Sequence, residues 1–312
     1  MINIVKYIFK RIIGIIPILI IISFISFALM NLSSGDPAEI ALTSQGTVVT
    51  PELLEEVRID MGLDKPFINQ YFSWLNSAIH GDLGKSYASG IDVSEELMEH
   101  LPYTVILAGS SMILTLIVSI PLGVLSAVKK NKLIDYIIRW CTFIGNSIPG
   151  FFLALILLLI FSLKLKLFPV LSESGIKSII LPAVTLSVSM ISKYIRQIRA
   201  VVLDELQKGY VKGARSRGIK ERTILYRNVL KNIMITVITL TGLSMGSLMG
   251  GTAVVESIFV WPGIGSLVLT AISNRDYPVI QGYVLWMAII FIVINIITDL
   301  LYKIFDPRVR EV

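Results

Sequence analysis

The chain has 312 residues, of which 54% are hydrophobic and only 16% are charged, and its formal net charge is +6. Soluble domains carry about 25% charged residues, so this composition excludes an ordinary soluble or disordered chain and indicates a membrane protein. A single cysteine, Cys141, excludes an internal disulfide, and the lack of a Gly-x-x-x-x-Gly-Lys-Ser/Thr loop argues against ATP hydrolysis by this chain itself.

Six apolar runs are long enough to cross a bilayer, whose core needs about 20 helical residues. The predicted spans are Ile12–Leu32, Thr104–Val128, Ile137–Leu163, Ile179–Ile195, Ile233–Val254 and Val279–Leu301. The first is expected to stay uncleaved, because it exceeds the apolar length of a signal peptide and no Ala-x-Ala follows it. The sequence thus predicts an all-α polytopic membrane protein with six transmembrane helices.

Charge along the chain predicts the orientation of these spans. The connection from Lys193 to Lys231 holds eleven basic residues and three acidic ones. The N-terminus and the connection between spans two and three are also basic. Residues 31–101 instead carry a net charge of −9. Because cytoplasmic loops are rich in Lys and Arg, both termini are predicted to be cytoplasmic, in a plasma or inner membrane.

The external segment, residues 32–102, contains helix start and stop signals. Thr50 can cap a helix that begins at Pro51, and Asp92 with Glu95 forms a capping-box pattern. The predicted helices run from Pro51 to Gly62, from Pro66 to Gly81, and from Asp92 to Leu101. They form either a helical cap on the outer ends of the spans or a docking surface for an external partner.

The cytoplasmic connection between spans four and five, about residues 199–231, is long, polar and compatible with helices. A helix ending near Gly218 and another starting near Lys220 would form an elbow, since glycine permits the positive φ of a sharp turn. Another protein could grip such an elbow. Alternatively, its basic residues only enforce the orientation of the spans.

The elbow resembles the loop signature of the inner-membrane permease family of ABC importers, which reads Glu-Ala-Ala, three residues, Gly, nine residues, Ile-x-Leu-Pro. Three positions match this signature, namely Ala214, Gly218 and Leu230, while four depart from it, namely Lys212, Gly213, Asn228 and Lys231. The departures are similar to the peptide and nickel branch, with its Tyr-Val-x-x-Ala-Arg-x-x-Gly pattern. The resemblance implies that ATPase subunits contact Tyr210, Ala214, Arg215, Gly218 and Leu230.

Further motifs of that branch occur in the same order along nearly the whole chain. They are Gly35-Asp36-Pro37, Leu63-Asp64-Lys65-Pro66, Gly81-Asp82-Leu83-Gly84, Leu101-Pro102-Tyr103-Thr104, Leu181-Pro182-Ala183, Glu256-Ser257-Ile258-Phe259, Trp261-Pro262-Gly263-Ile264-Gly265, Asn274 to Gly282, and Asp306-Pro307-Arg308. Their order indicates four segments: an N-terminus and first span (1–31), the external segment (32–102), a permease core (103–308) and a tail (309–312).

Gly242, Gly246 and Gly250 recur every four residues in the fifth span, which predicts close approach of another helix. Packing within the chain would explain this pattern. The resemblance adds a second interpretation, in which the span lines a translocation path at the interface with a second permease.

Trp261, Pro262 and Gly263 form a turn signal after the fifth span, and Trp261 is predicted to anchor at the outer membrane interface. A short, non-crossing helix is predicted from Leu267 to Ile272. The resemblance implies an external gate, or a surface that faces the binding protein, formed by Trp261, Pro262, Gly263, Asp276, Tyr277 and Pro278.

The function implied by the resemblance is that of a transmembrane permease in an ATP-driven importer. The implied partners are a second homologous permease in a heterodimer, two cytoplasmic ATPase subunits that use ATP and Mg²⁺, an extracytoplasmic solute-binding protein and membrane lipid, without nucleic acid. This chain would bind no cofactor and hold no catalytic or metal-binding residue, and His80 and His100 are interpreted as solvated. The expected solute is a di- or oligopeptide, with nickel or another metal chelate as the alternative.

Other classes of function fit the sequence less well. An ion-coupled secondary transporter usually carries Asp, Glu or His inside its spans, and the middles of these six spans hold none. A structural or signalling protein would not need the elbow. A membrane enzyme would need a base near Thr185, Ser187 or Ser189, and the sequence places none beside them.

Overall fold

The computed structural model describes residues 4–32, 35–171 and 175–305. These residues form α-helices in the following order: α1 (Ile4–Asn31), α2 (Pro37–Ser44), α3 (Pro51–Asp60), α4 (Phe67–Ile79), α5 (Val93–Val128), α6 (Leu133–Ser147), α7 (Gly150–Leu157), α8 (Ile176–Glu205), α9 (Gly209–Ser216), α10 (Glu221–Thr223), α11 (Leu230–Gly251), α12 (Ala253–Ile258), α13 (Ile264–Asn274) and α14 (Tyr277–Phe305). Two π-helical stretches extend α7 and precede α11, namely Leu158–Lys164 and Ile224–Val229. The motif at 306–308 and the predicted tail 309–312 lie outside the described residues.

Within the described residues, five stretches of helix are long and apolar enough to cross a membrane, in agreement with five of the predicted spans. They are Gly14–Asn31, Val93–Val128, Ile176–Glu205, Glu221–Gly251 and Tyr277–Leu301. The remaining span, expected as one helix, is a pair of helices, Leu133–Ser147 and Gly150–Lys164, bent by 99°. The bend has a local cause, because Pro149 disfavours helical backbone at Ile148, whose ψ is 123°.

The helices of residues 32–102 begin largely where the sequence places them. Thr50 caps α3 by accepting a hydrogen bond from Leu53 N at 3.3 Å, and Pro51 occupies the first turn. The third predicted helix does not stop at Pro102, since α5 continues through it as one helix from Val93. A proline early in a long membrane helix is tolerated when neighbouring groups satisfy the freed carbonyl.

Helix α2 was not predicted, although its start carries a clear signal. The Asp36 carboxylate accepts a hydrogen bond from Ala38 N at 3.1 Å, and Pro37 opens the first turn. The same carboxylate forms an ion pair with Arg58 of α3, with 2.6 Å between Asp36 Oδ2 and Arg58 Nη2. Asp36 therefore both starts α2 and fastens it to α3.

The chain divides into two compact units. One contains the described residues up to Thr104 together with Pro262–Val293. Within it, α4 packs on α1 through Tyr71, which is 3% exposed and whose hydroxyl lies 3.0 Å from Ser23 Oγ. Its core also joins residues far apart in sequence, namely Leu83, Val93, Leu97, Ile264, Ala271 and Val279.

The other unit contains, of the described residues, 105–261 and 294–305. Its central element is α8, which packs against α6, α7, α11 and α12. Small residues let α5 and α6 approach α8 closely, since a Cβ at Gly123 would overlap Ile198 and a Cβ at Gly145 would overlap the Ser192 side chain. These two glycines follow no repeat, so the sequence pattern does not single them out.

A buried ion pair joins three helices of this second unit. Asp135 of α6 is fully buried, and Arg199 of α8 donates to both of its carboxylate oxygens at 2.8 Å. Ser126 Oγ of α5 and the Asn131 amide donate to the same carboxylate, at 2.6 and 3.0 Å. All the donors a buried carboxylate needs are thus supplied by the protein.

We expect Arg199→Met to lower the free energy of unfolding by about 3 kcal/mol, because the change leaves the Asp135 carboxylate buried without its partner charge. The measurement is the thermal unfolding midpoint of the protein purified in mild detergent. Arg196→Met is the matched control, since it removes an exposed arginine from the same helix. Equal midpoints for the two variants would show that the ion pair does not stabilise the fold.

Candidate functional site

The elbow predicted between the fourth and fifth spans is present. Helix α9 forms part of this connection. It is anchored by its buried side chains Val211 and Ala214, which are 0% and 2% exposed. It ends just before Gly218, whose φ of 74° lies in the left-handed region, and α10 begins three residues after that glycine. Glycine adopts this backbone without the penalty that a Cβ brings.

Arg215 stabilises the turn of the elbow. Its Nε donates to Glu221 Oε1 at 2.5 Å and its Nη2 to Oε2 at 3.2 Å, so the guanidinium of α9 holds the first residue of α10. The hydrogen bond from Arg215 holds the pKa of the Glu221 carboxyl below its ordinary value. The pair is exposed, which leaves it accessible to a partner protein.

Tyr210 lies at the root of the elbow rather than on its tip. Its hydroxyl donates to Glu205 Oε1 at 2.8 Å, and burial together with this carboxylate raises the pKa of Tyr210 to about 12. Tyr210, Ala214, Arg215 and Gly218 thus lie on or beside one short helix, whereas Leu230 begins α11 beyond the π-helical stretch.

The glycine repeat of α11 has two environments. A Cβ at Gly242 would overlap the Thr298 side chain of α14, so this position packs within the chain. Gly246 is buried as well. Gly250 instead faces open space, where an added Cβ would meet no neighbouring group within 4 Å among the described residues, and it shares an exposed helix face with Leu243 and Ser247. The repeat therefore serves packing within the chain at one end and leaves a smooth surface at the other.

Trp261 is buried, with 7% of its surface exposed, and packs against Leu107 and Ala183. The expected aromatic anchor at the membrane interface was therefore wrong. The cause is a tight turn after α12, in which Val260 has a φ of 52° and Trp261 N donates to Glu256 O at 2.8 Å. This turn folds the indole inward.

Pro262 and Gly263 lead directly into α13, the predicted short helix. Gly263 precedes its first residue with a φ of −90°, and the Ile264 amide donates to Thr104 Oγ1 at 2.9 Å. With eleven residues, α13 is a short apolar helix rather than a span.

Asp276, one of the predicted external gate residues, is buried, with 2% of its surface exposed. Its carboxylate accepts hydrogen bonds from Ser86 Oγ at 2.6 Å and from the amides of Tyr87 and Ala88 at 3.2 Å. Tyr277 packs edge-on against Tyr87, with ring centroids 6.4 Å apart. Burial and the neighbouring Asp276 raise the pKa of Tyr87. Asp276 therefore fastens the loop at 86–88 to the start of α14.

A cavity of about 740 Å³ lies beside this loop. Its walls come from α1, α2, α3 and α4, and from the loop at 82–90 with Tyr277 and Pro278. Of the predicted external gate residues, only Tyr277 and Pro278 line it. In the part of the chain that the structure describes, no group of three or more His, Cys, Asp or Glu side chains could hold a metal ion.

Two family models match the chain. Residues 119–311 match the model described as binding-protein-dependent transport system inner membrane component, and residues 4–108 match the N-terminal model of the same kind of membrane component. Together they account for nearly all of the sequence.

Curated relatives are matched over almost their full lengths. The nickel import system permease NikB of Staphylococcus aureus is 38% identical over 307 residues, which is 98% of this chain and 92% of the relative. The metal-staphylopine import system permease CntB of the same species is 37% identical, with 98% of each chain covered. A Brucella abortus protein, provisionally named a peptide transport system permease, is 36% identical, with 97% and 98% covered.

A solved structure shares the fold. The inward-facing MetNI methionine ABC transporter matches with a TM-score of 0.56 and 15% identity, covering 67% of this chain and 96% of that chain. At this identity, the match concerns the fold alone.

We expect Gly242→Ala to lower the unfolding midpoint, because its Cβ would overlap Thr298 and overpacking costs about 1–3 kcal/mol. The matched control is Gly250→Ala on the same helix, where a Cβ meets open space. Thermal unfolding of both variants in detergent provides the measurement. If Gly242→Ala is as stable as Gly250→Ala, close packing at Gly242 is not required.

Proposed function

The chain belongs to the family of binding-protein-dependent transport system inner membrane components, and we propose that it forms part of the path through which short peptides enter the cell. Members of this family are permease subunits of ABC importers, multi-pass proteins of the inner membrane that transport a solute and are not themselves enzymes. Such a permease works with a partner permease, ATPase subunits and a binding protein. Because the chain belongs to this family, an ion-coupled secondary transporter is no longer an alternative.

The observation that carries the proposal is the elbow at α9. It combines a short helix anchored by Val211 and Ala214, a left-handed turn at Gly218 that favours glycine, and an exposed Arg215–Glu221 pair. An exposed helix that is anchored to the membrane domain gives a soluble ATPase subunit a surface through which it can move the spans. Within the connection at residues 199–231, we assign the following residues to contact with two ATPase subunits that use ATP and Mg²⁺: Tyr210, Ala214, Arg215, Gly218 and Leu230.

The proposed orientation follows the charge distribution. The basic connection and both termini face the cytoplasm, and residues 32–102 face outward, where the delivering protein docks. The external elements at Trp261–Gly263 and Asp276–Pro278 then belong to the gate on the same side, and residues 103–308 form the core that holds the spans.

A second, homologous permease is proposed to complete the path as a heterodimer. Support comes from the face of α11 formed by Leu243, Ser247 and Gly250, which is exposed and has small residues where a helix backbone can approach. ATP binding would close the ATPase pair and turn the permease pair outward, and hydrolysis would reset both.

The solute is proposed to be a di- or oligopeptide, with nickel or another metal chelate as the second candidate. Relatives named for nickel and for peptide transport are almost equally similar to this chain, at 38% and 36% identity. Selection is expected to lie mainly with the binding protein.

Uptake by the complete importer, reconstituted in vesicles with its own binding protein, decides between the two solutes. We expect ATP-dependent uptake of radiolabelled di- and tripeptides and none of a nickel–amino-acid chelate. Vesicles without ATP are the control. Uptake of the nickel chelate alone would replace the peptide assignment with the metal one, and uptake of neither would refute both.

We expect Gly218→Val to reduce the solute transported per ATP hydrolysed, because a β-branched residue at a φ of 74° is strained by about 1–2 kcal/mol and shifts α9. Gly218→Asn is the matched variant, since asparagine tolerates left-handed backbone and a Cβ meets open space there. We expect it to stay close to the wild-type ratio. A wild-type ratio in Gly218→Val would contradict the role of this turn in coupling.

A further inference from the structure

Glu205, the last residue of α8, is a buried carboxylate in an otherwise polar and basic connection. Only 4% of its surface is exposed. Tyr210 Oη and Asn232 Nδ2 donate to its Oε1 at 2.8 and 2.7 Å, and Lys208 Nζ lies 2.5 Å from its Oε2. Asn232 Nδ2 also donates to the Tyr210 hydroxyl at 3.3 Å, which closes a small ring of hydrogen bonds.

The members of this ring come from three successive elements. Glu205 ends α8, the fourth span; Tyr210 belongs to α9, the helix of the elbow; and Asn232 lies in the first turn of α11, the fifth span. The two spans are thus joined to the elbow at a single carboxylate. Because Tyr210 and Asn232 donate to the same oxygen, Oε1, a displacement of α9 disturbs the contact with α11 as well.

Apart from this ring, α9 is held by its buried side chains Val211 and Ala214 and by its flanking chain. Residues 206–208 between α8 and α9 form a short turn, and a turn of this kind can hinge. The hydrogen bonds at Glu205 oppose that hinge, because moving α9 away from α8 would strand a buried charge. A force that displaces α9 is therefore transmitted to α8 and α11 rather than absorbed by bending of the turn at 206–208.

The chemistry of the ring keeps it closed at physiological pH. Hydrogen bonds to an ionised carboxylate are about twice as strong as those between neutral groups. With a pKa of about 12, Tyr210 retains its proton and remains a donor. The contacts therefore do not depend on ordinary changes in cytoplasmic pH.

We propose that Glu205 is a positioning residue that couples the elbow to the fourth and fifth spans, so that displacement of α9 by an ATPase is transmitted to the membrane. This proposal rests on the proposed function of the elbow. It adds a residue that lies outside the family signature and that does not touch the ATPase subunits itself.

The test measures two quantities in the reconstituted importer: the rate of ATP hydrolysis, and the number of solute molecules transported per ATP. In Glu205→Ala we expect the ATPase subunits to stay bound and to hydrolyse ATP, while solute transported per ATP falls roughly tenfold, as expected when a charge-assisted hydrogen-bond network is lost. Asp204→Ala is the matched control, because it removes an exposed carboxylate from the adjacent position.

Milder variants keep the proposal testable if Glu205→Ala does not assemble. Tyr210→Phe removes one hydroxyl, and Glu205→Gln keeps an acceptor oxygen but loses the Lys208 charge pair. We expect each to lower the transport ratio and the double variant to lower it by less than the product of the two, because both act through the same ring. Wild-type ratios in both single variants would overturn the proposal.

The outcome is distinguishable from failure of the proposed function. If wild-type vesicles show no ATP-dependent uptake, or if the ATPase subunits do not co-purify with the wild-type chain, the importer assignment itself fails. If wild-type transport is normal and the ratio in the Glu205 and Tyr210 variants equals that of Asp204→Ala, only the coupling role of Glu205 is refuted.

Discussion

The structure depends on one constraint: a group that leaves water inside a membrane protein must find its partners within the protein. The backbone meets this constraint by forming helices, and buried carboxylates meet it by collecting donors. Asp135, Glu205 and Asp276 each gather hydrogen bonds from at least two other positions in the chain. Each carboxylate therefore fastens separate elements together, because its donors have to be brought to it.

Elements whose cause is local could be predicted from the sequence. The spans follow from apolar length, and the start of α3 follows from Thr50 and Pro51. The elbow follows from Gly218, which adopts left-handed backbone. Helix α2 belongs to the same class, since Asp36 and Pro37 carry its start signal. The bend after α6 also has a local origin at Pro149, although apolar length alone indicates a continuous helix there.

Features that depend on tertiary contact were beyond sequence reasoning. A single sequence does not show that Arg199 meets Asp135, or that Asn232 meets Glu205, because nothing in the spacing of these residues pairs them. The glycine repeat of α11 was visible as a pattern, yet Gly123 and Gly145 allow equally close packing without one. The burial of Trp261 was not predicted because it depends on the turn at Val260. This residue has a positive φ but is not a glycine, so no glycine in the sequence marks the turn.

The hydrogen bond between Ser86 and Asp276 joins positions that are 190 residues apart. A ribosome makes Ser86 long before Asp276, so the loop at 86–88 emerges while the carboxylate that will hold it has not been synthesised. The same delay applies to the apolar side chains of Leu83, Val93 and Leu97, whose partners lie in α13 and α14. During synthesis the core of this unit therefore stays open until α13 and α14 have been translated, and these two helices complete a unit to which α1 also belongs.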